Sequence, residues 1–370
     1  MERRTFLQLV SAPVLFAAGN VPSYRVISRH APASLPGIPG PHRSTVIRCH
    51  SDSAIDPAME RVNRVIVQRM LSEGMRALTR AKNDRDAWAA FFSPNDVVGI
   101  KVNCSGAPNI MSTPEVVAGI AENLLAVGVK PDRIYIYERF LDQLNSVHYD
   151  RVVPAGVHIV AVENPRGSLL GYDPATYVEV DFFGEDDTRS NLVRLVTEQF
   201  TKIINVPNMK EHRASGVTGC LKNIAYGNFS NVARSHRSEK TNTLSFIGTL
   251  AAVEPLRSKT VLNIMDGIRG VWHGGPFSTE KRFRFFPKQM LFGTDPVAMD
   301  RLLLDIIEEK RRVEGALSIW DHSMTNIDRR TDRNISTNQF LREPGHIEYA
   351  AKLGLGEYDK NRIRVTPVEL

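Results

Sequence analysis

Cysteine is scarce in this chain of 370 residues: only Cys49, Cys104 and Cys220 occur, and they lie far apart. No C-x-x-C motif exists, so the chain carries no sequence signature for an iron–sulfur cluster or structural zinc site of its own. An odd number of cysteines leaves at least one thiol without an intramolecular partner. A Cys49–Cys104 disulfide in an oxidising compartment is an alternative that the sequence leaves open.

Motifs of three common enzyme classes are also missing. The sequence has no G-x-S-x-G, no Walker-type loop and no G-x-G-x-x-G, so the serine-hydrolase, nucleotide-hydrolase and dinucleotide-binding classes lack their signatures. The formal net charge is +6, but the lysines and arginines form no long basic block. Nucleic-acid binding is therefore disfavoured, whereas a mild positive excess suits a small anionic partner.

The first twenty residues, MERRTFLQLVSAPVLFAAGN, predict an export signal. Arg3 and Arg4 precede an apolar run that is too short to span a bilayer comfortably. The order RRTFL is similar to the twin-arginine signal, which directs folded proteins across a bacterial membrane; an ordinary secretory signal is the alternative. We therefore expect a periplasmic or otherwise exported protein that meets the export machinery, and a membrane only during export.

Composition divides the rest of the chain into two parts. Residues 21–45 are rich in proline and glycine and predict an extended linker. Residues 46–370 predict one α/β domain, and its division into two lobes stays open.

Short apolar runs alternate with helical patterns along this domain. The helical patterns begin with an amphipathic helix over 57–78 and continue at 113–128, 245–256 and 296–312. The apolar runs lie at 96–103, 133–138, 157–163, 202–207, 260–266 and 289–295. Runs of valine, isoleucine and leucine separated by helices predict an α/β fold with a mainly parallel sheet flanked by helices on both faces.

In open α/β sheets, ligands bind beyond the carboxyl ends of the strands. The segment INVPNMKEHRASGVTGCLKNIAYGNFSNVARSH follows one such end and carries Lys210, His212, Thr218, Lys222 and His236. Histidine titrates near neutral pH, and lysines crowded in a cleft attract a carboxylate or phosphate. A solvated polar loop is the alternative, but so many bases within 27 residues of one strand end favour a functional site.

Three further strand ends add candidates. Lys101 lies inside an apolar strand, with Asn103 after it, and the alternative for Lys101 is a side chain that reaches solvent. Asp266 follows another strand and could share the cleft with His273, or else form a tight turn. In the third segment Asp295 is the expected cap of the helix from Pro296, which leaves Asp300 as a base or metal ligand.

Six ordered motifs resemble those of the domain of unknown function 362 family, over about Val97 to Val365. They are VGIKVN, STPEVV, INVPNMKEHRASGVTGCLKN, DGIRG with GGP, GTDPVAMD and AAKLGLGEYDKNRIRV. The chain looks like the exported, twin-arginine branch of that family. Many relatives carry an appended ferredoxin module, whose cysteines this chain lacks, so the resemblance does not support an electron-transfer role.

A remote, motif-level similarity links the same segment to the lactate racemase family, which binds nickel through a pincer cofactor tethered to lysine. That similarity implies a proton-transfer base at His212, a cofactor or anion anchor at Lys222 and a metal ligand at His236. The chain departs from that family at Asn223 and the following IAYGNFSN, where the family has a proline-glycine turn.

We therefore expect a Lys/His-rich cleft that uses acid/base or metal-assisted chemistry on a small anionic organic molecule. A non-catalytic binding protein for an anion or metal, or an accessory protein of a redox complex, is the alternative. The cofactor is undetermined, with a divalent metal as one option, and so is the oligomeric state. The predicted catalytic residues are His212, Lys222, Lys210 and Lys101; the substrate-binding residues are Asn103, Thr218, Asn223 and Asp266; and the metal ligands are His236 and Asp300.

Overall fold

A computed structural model of the protein describes residues 7–8, 21–34, 37–236, 241–322 and 342–370. Nearly all of the predicted export signal, residues 1–6 and 9–20, lies outside the described residues, so that prediction stays a prediction. No described helix is both long enough and apolar enough to cross a bilayer.

The described residues form strands and helices that alternate through most of the chain. The strands are β1 (Leu7–Gln8), β2 (Arg25–Ile27), β3 (Thr45–His50), β4 (Ile55–Asp56), β5 (Arg61–Val62), β6 (Val98–Lys101), β7 (Ile134–Phe140), β8 (His158–Glu163), β9 (Tyr172–Glu179), β10 (Arg189–Val193), β11 (Lys202–Asn205), β12 (Asn208–His212), β13 (Gly216–Val217), β14 (Thr260–Val271), β15 (Arg284–Phe285), β16 (Gln289–Gly293) and β17 (Arg364–Glu369). The helices are α1 (Arg64–Thr79), α2 (Asp84–Ala89), α3 (Pro114–Ala126), α4 (Leu141–Asn145), α5 (Gly219–Tyr226), α6 (Thr243–Ala251), α7 (Leu256–Lys259), α8 (Pro296–Val313) and α9 (His346–Lys352).

An eleven-stranded sheet forms the centre of the fold. Its main path runs β17-β3-β16-β14-β11-β6-β7-β8, with β12, β13 and β15 attached beside β14 and β12. The neighbours from β14 to β8 are all parallel, as are β17 with β3 and β12 with β14, whereas β16 runs antiparallel to both of its neighbours. The predicted mainly parallel α/β sheet is confirmed.

Helices cover both faces of this sheet. Ile203 belongs to a core cluster with residues of α5, α6, α8 and α9, while its neighbour Ile204 belongs to a second cluster with residues of α1, α2 and α3. Successive side chains of a strand point to opposite faces, so each face has its own apolar layer. This explains why the strands are apolar almost throughout rather than alternating.

The helix predicted over 57–78 begins later, at Arg64. β4 and β5 pair as a hairpin before it, and the Asn63 side chain accepts the Ile66 N–H as the helix cap. Met59, assigned to the apolar side of the predicted helix, is 72% exposed in the hairpin turn. The amphipathic pattern therefore predicted the helix but not its start, which the cap determines.

Parts of the predicted linker pack against the rest of the chain, whereas residues 31–34 are exposed. β2 joins β1, β9 and β10 in a separate four-stranded antiparallel sheet. Ile38 is fully buried in the core, and its N–H donates to the Arg257 carbonyl. A proline- and glycine-rich composition indicates irregular backbone, and here that backbone contributes to the core.

Candidate functional site

Lys101 lies at the carboxyl end of β6 and is fully buried. Its Nζ lies 2.9 Å from Oε1 of Glu138, on neighbouring β7, and also donates to the Val102 carbonyl at 2.6 Å. The other carboxylate oxygen of Glu138 accepts the Cys104 N–H. Lys101 therefore does not reach solvent: its charge is compensated by a buried carboxylate, which a charge in this environment requires.

Lys210, on β12, is also fully buried but has only neutral partners. Its Nζ donates to Asn103 Oδ1 at 2.7 Å and to Ser105 Oγ at 2.8 Å. An ammonium group carries three N–H donors, so one remains for a ligand. Both partners belong to the loop after β6, so this loop positions the amine.

A chain of asparagine carboxamides holds that loop in place. Asn103 Nδ2 donates to Asn223 Oδ1 at 2.9 Å, and Asn223 Nδ2 donates to Asn205 Oδ1 at 2.7 Å. Asn205 Nδ2 in turn donates to Asn263 Oδ1 at 2.9 Å. Because each amide group donates onward, each oxygen is oriented. The predicted binding residues Asn103 and Asn223 thus contact each other, and they orient the Asn103 oxygen toward Lys210.

Lys222 lies on α5 and is partly exposed. Its Nζ lies 4.6 Å from the centre of the Tyr226 ring, one helical turn further on. Within the described part of the chain, no oxygen acceptor lies within hydrogen-bond distance of this amine. Lys222 therefore differs from Lys101 and Lys210, each of which has two oxygen partners.

Burial and mutual repulsion depress the basicity of two of these lysines. Burial, only partly offset by the charge of Glu138, lowers the pKa of Lys210 from 10.5 to about 7. Burial, together with the charges of Lys210 and Arg139, lowers the pKa of Lys222 from 10.5 to about 7. Lys101 and Lys210 thus lie near the Glu138 carboxylate, and the pKa values of Lys210 and Lys222 fall close to neutral pH. Such perturbed groups concentrate at functional sites.

His212, at the end of β12, is held in one tautomer. Its Nδ1 accepts the Ala214 N–H at 3.0 Å, and Ser215 N lies 3.4 Å away. Burial and the charge of Lys222 set the pKa of His212 well below its usual 6.5, so the ring is neutral at pH 7. A neutral imidazole that accepts at Nδ1 carries its proton on Nε2. His212 is therefore a hydrogen-bond donor in this geometry, not the base expected from the lactate racemase similarity.

His236 has the opposite tautomer. Its Nδ1 lies 3.3 Å from the Ala233 carbonyl oxygen, to which it can only donate. Burial and the charge of Lys222 lower the pKa of His236 to about 3, so the neutral ring presents a lone pair at Nε2. Its ring centre lies 5.3 Å from that of His212 and 5.4 Å from that of Tyr226. The two predicted histidines therefore lie together, as one donor and one acceptor.

His346, on α9, is a third imidazole of the site that the sequence analysis missed. It is fully buried, its Nδ1 lies 3.0 Å from the Glu343 carbonyl oxygen, and its Nε2 has no hydrogen-bond partner among the described residues. Burial and the charge of Lys222 lower its pKa to about 4. No local signal marks His346, because it follows His236 by more than a hundred residues. Glu138, also missed, could have been found as a charged residue at the end of a predicted strand.

Two predicted site residues, Asp300 and Asp266, accept backbone N–H groups. Both carboxylate oxygens of Asp300 accept backbone N–H groups at the start of α5, from Cys220 and Leu221, so Asp300 is a helix cap rather than a free metal ligand. Asp266 is buried and accepts the N–H groups of Thr113 and Ile268, which joins β14 to the start of α3.

Thr218 lies directly before α5, and its buried hydroxyl has no hydrogen-bond partner among the described residues.

His273, suggested above as a partner of Asp266, contacts Arg311 through Nδ1 at 3.0 Å. That pair adjoins the buried Glu211–Arg342 ion pair, a separate network.

The structure does not strengthen the metal option. The described residues contain no group of three or more His, Cys, Asp or Glu side chains that could hold a metal ion. Cys49, Cys104 and Cys220 are buried free thiols, so the disulfide alternative is not formed.

The fold and site define an α/β protein with a lysine- and histidine-lined site at the carboxyl ends of parallel strands. The chain belongs to the family described as "Domain of unknown function (DUF362)", whose model matches residues 98–305, more than half of its length. The matched residues include Lys101, Lys210, Lys222, His212 and His236. His346 lies beyond them.

Comparison with other proteins adds little about function. The chain is similar to a structural-genomics crystal structure of a protein from Thermotoga maritima, with 12% sequence identity and a TM-score of 0.38. The similarity covers 69% of this chain and 59% of that one, so it spans less than two thirds of that protein. No curated protein matches the chain.

Proposed function

We propose that this chain is an enzyme that binds a small organic anion between Lys210 and Lys222 and performs acid/base chemistry on it. The observation that carries the proposal is the fully buried Lys210 amine, which donates to the neutral oxygens of Asn103 and Ser105 and keeps one N–H for a ligand. The lowered pKa values of Lys210 and Lys222, about 7 each, agree with this. Removing the two ammonium groups from water, fully for Lys210 and partly for Lys222, costs free energy in the folded chain. A bound carboxylate or phosphate would relieve this cost by supplying the missing negative charge.

The hydrogen-bonding capacity of the lysines supports the same ligand class. Lys210 retains one N–H after its bonds to Asn103 and Ser105, and Lys222 has no described oxygen acceptor. Charge-assisted hydrogen bonds to an oxyanion are roughly twice as strong as neutral ones. An anion with two oxygens would therefore gain contacts that no described protein group provides.

The imidazoles supply complementary proton-transfer groups. His212 offers an N–H at Nε2, while His236 and His346 each offer a lone pair at Nε2. A donor and an acceptor near one bound molecule can stabilise a developing negative charge and remove a proton. In this proposal His236 is the base and His212 polarises the substrate oxygen.

The binding step is tested by calorimetry of the full chain with inorganic phosphate and with pyruvate, at pH 6, 7 and 9. We expect both anions to bind at pH 7 with uptake of protons, detected by comparing buffers of different ionisation enthalpy, and to weaken toward pH 9 as the lysines lose their protons. Lys210→Met should abolish binding, and Lys82→Met, on the exposed surface, is the matched control. If neither phosphate nor pyruvate binds at pH 6 or at pH 7, the proposal is contradicted.

Binding without turnover is the second candidate, supported by the His212 tautomer, which suits a donor that only holds an oxygen. Under this candidate His236→Ala would leave phosphate affinity unchanged and no conversion of any bound organic acid would be detected. The twin-arginine route and the periplasmic location remain part of the proposal, and their test follows in the Discussion.

A further inference from the structure

Lys222 differs from the other two lysines of the site in what surrounds its amine. Lys101 is paired with Glu138, and Lys210 is held by two neutral oxygens. The Lys222 amine faces the ring of Tyr226 and has no oxygen acceptor among the described residues. An amine is nucleophilic only when it is neutral and its lone pair is not shielded.

Burial and a nearby lysine both favour the neutral form. Burial comes first and the charge of Lys210, whose amine is fixed by Asn103 and Ser105, comes second in lowering the pKa of Lys222 to about 7. A lysine beside a second cationic group is one of the arrangements that activate an amine for attack on a carbonyl group. Lys222 is also partly exposed.

We propose that Lys222 forms an imine with the carbonyl carbon of a small 2-oxo acid whose carboxylate is bound by Lys210. The inference rests on the proposed anion site and specifies its substrate class. Adjacent lysines match a molecule that carries a carboxylate next to a carbonyl group, because one amine then meets the negative charge while the other meets the electrophilic carbon. A phosphate or a simple carboxylate satisfies only the first requirement.

The step balances without an oxidant or reductant. The lone pair of the neutral Lys222 amine forms the nitrogen–carbon bond, and the carbonyl oxygen becomes a hydroxyl group after it gains a proton. A second proton on that hydroxyl lets it leave as water, and the product is a protonated imine. Overall, one neutral amine, one carbonyl compound and one proton give one protonated imine and one water.

The histidines have defined roles in this sequence. His212 donates its Nε2 hydrogen bond to the carbonyl oxygen while negative charge develops on it. His236 accepts the proton that the attacking nitrogen loses, at its free Nε2. The Tyr226 ring contacts both Lys222 and His236, which keeps the amine and the base on the same side of α5.

The test is reductive trapping on the full chain. The protein is incubated with pyruvate and sodium cyanoborohydride at pH 7, digested, and every lysine is scored by peptide mass spectrometry. We expect one adduct per chain, on Lys222, with labelling there at least ~10-fold above that of exposed Lys82, because a pKa of about 7 leaves a far larger neutral fraction than 10.4 does. Acetate, which has no carbonyl group open to imine formation, should give no adduct.

Two further measurements keep the result independent of variant folding. In the unmodified protein, the labelling rate should rise with a midpoint near pH 7 rather than near pH 10. Lys222→Arg should lose the adduct, whereas Lys82→Arg, on the exposed surface, should retain both the adduct and phosphate binding in the calorimeter. An adduct on Lys210 instead, or no adduct despite phosphate binding, overturns the imine and leaves the anion site standing. Loss of both binding and labelling in the unmodified protein overturns both proposals.

Discussion

Replacement of Lys222 by methionine should stabilise the protein at neutral pH, although it removes a central residue of the proposed site. The pKa of this amine falls from 10.5 in its usual environment to about 7, first through burial and then through the charge of Lys210. A fall of that size corresponds to at most about 4 kcal/mol of destabilisation at pH 7, and solvent screening of the partly exposed side chain reduces it.

Two effects bear on this gain in the free energy of unfolding. The amine lies 4.6 Å from the Tyr226 ring centre, and loss of that cation–π contact costs about 0.5–2 kcal/mol. Methionine keeps most of the length of the aliphatic stem and fills irregular space well, so cavity formation should be small. We therefore expect Lys222→Met to raise the free energy of unfolding at pH 7 by about 1–3 kcal/mol.

The pH dependence gives the sharper test. Between pH 7 and 10.5 the unfolded chain binds more protons at this lysine than the folded chain does, so the unmodified protein becomes more stable as the pH rises. Between pH 7 and pH 9 the contribution of Lys222 changes by about 2 kcal/mol. The advantage of Lys222→Met should therefore shrink over this interval.

The assay is urea unfolding of the full chain at 25 °C, at pH 7 and pH 9, with Lys82→Met as the surface control. The midpoint of Lys222→Met should exceed that of the unmodified protein at pH 7 and approach it at pH 9. A variant that is less stable at both pH values would refute the reasoning, and so would one that retains the full pH dependence. Either result would mean that Lys222 keeps its proton in the folded chain.

Three more predictions test the supports of the site and the route of export. Gly227→Ala would place a methyl group against the Lys101 side chain, so we expect several-fold weaker phosphate binding by calorimetry. Unchanged phosphate binding would contradict the close contact between Gly227 and Lys101. Asp300→Ala leaves two backbone N–H groups at the start of α5 without an acceptor, which should lower the free energy of unfolding by about 1–3 kcal/mol in urea titrations; no loss would show that the cap is dispensable. Replacing both Arg3 and Arg4 by lysine should retain the protein inside the cell on fractionation, whereas unchanged export would favour the ordinary secretory route.

The sheet was predictable because its signals are local. Runs such as RIYIYE and KIINVP carry apolar residues at successive positions, as strands covered on both faces require, and they correspond to β7 and β11. The four-stranded antiparallel sheet was not predicted. Its strand Tyr172–Glu179 contains a proline and several polar residues, and such a strand shows no apolar run that would distinguish it from a loop.

The sequence predicted which candidate side chains lie at the ends of strands, but not which groups they contact. The rule that ligands bind beyond strand ends selected Lys101, Lys210 and His212, and the structure brings them to one edge of the sheet. The same rule also selected Asp266 and Asp300, which accept backbone N–H groups instead. A carboxylate after a strand is equally suited to a cap and to a ligand, and the neighbouring backbone decides which role it has.

Protonation is the property that the sequence could not supply, because each protonation state depends on distant partners. The proton of His212 is on Nε2 because Nδ1 accepts a backbone N–H two residues away, and the lone pair of His236 is free because Nδ1 faces a carbonyl group. The pKa of the Lys222 amine falls to about 7 first through burial and then through the charge of Lys210, which the loop after β6 holds in place. Packing that only served stability would pair these lysines with carboxylates, as it pairs Lys101 with Glu138. That two of the three remain unpaired, next to a donor and two acceptors, is the physical reason to look for the missing negative charge in a ligand.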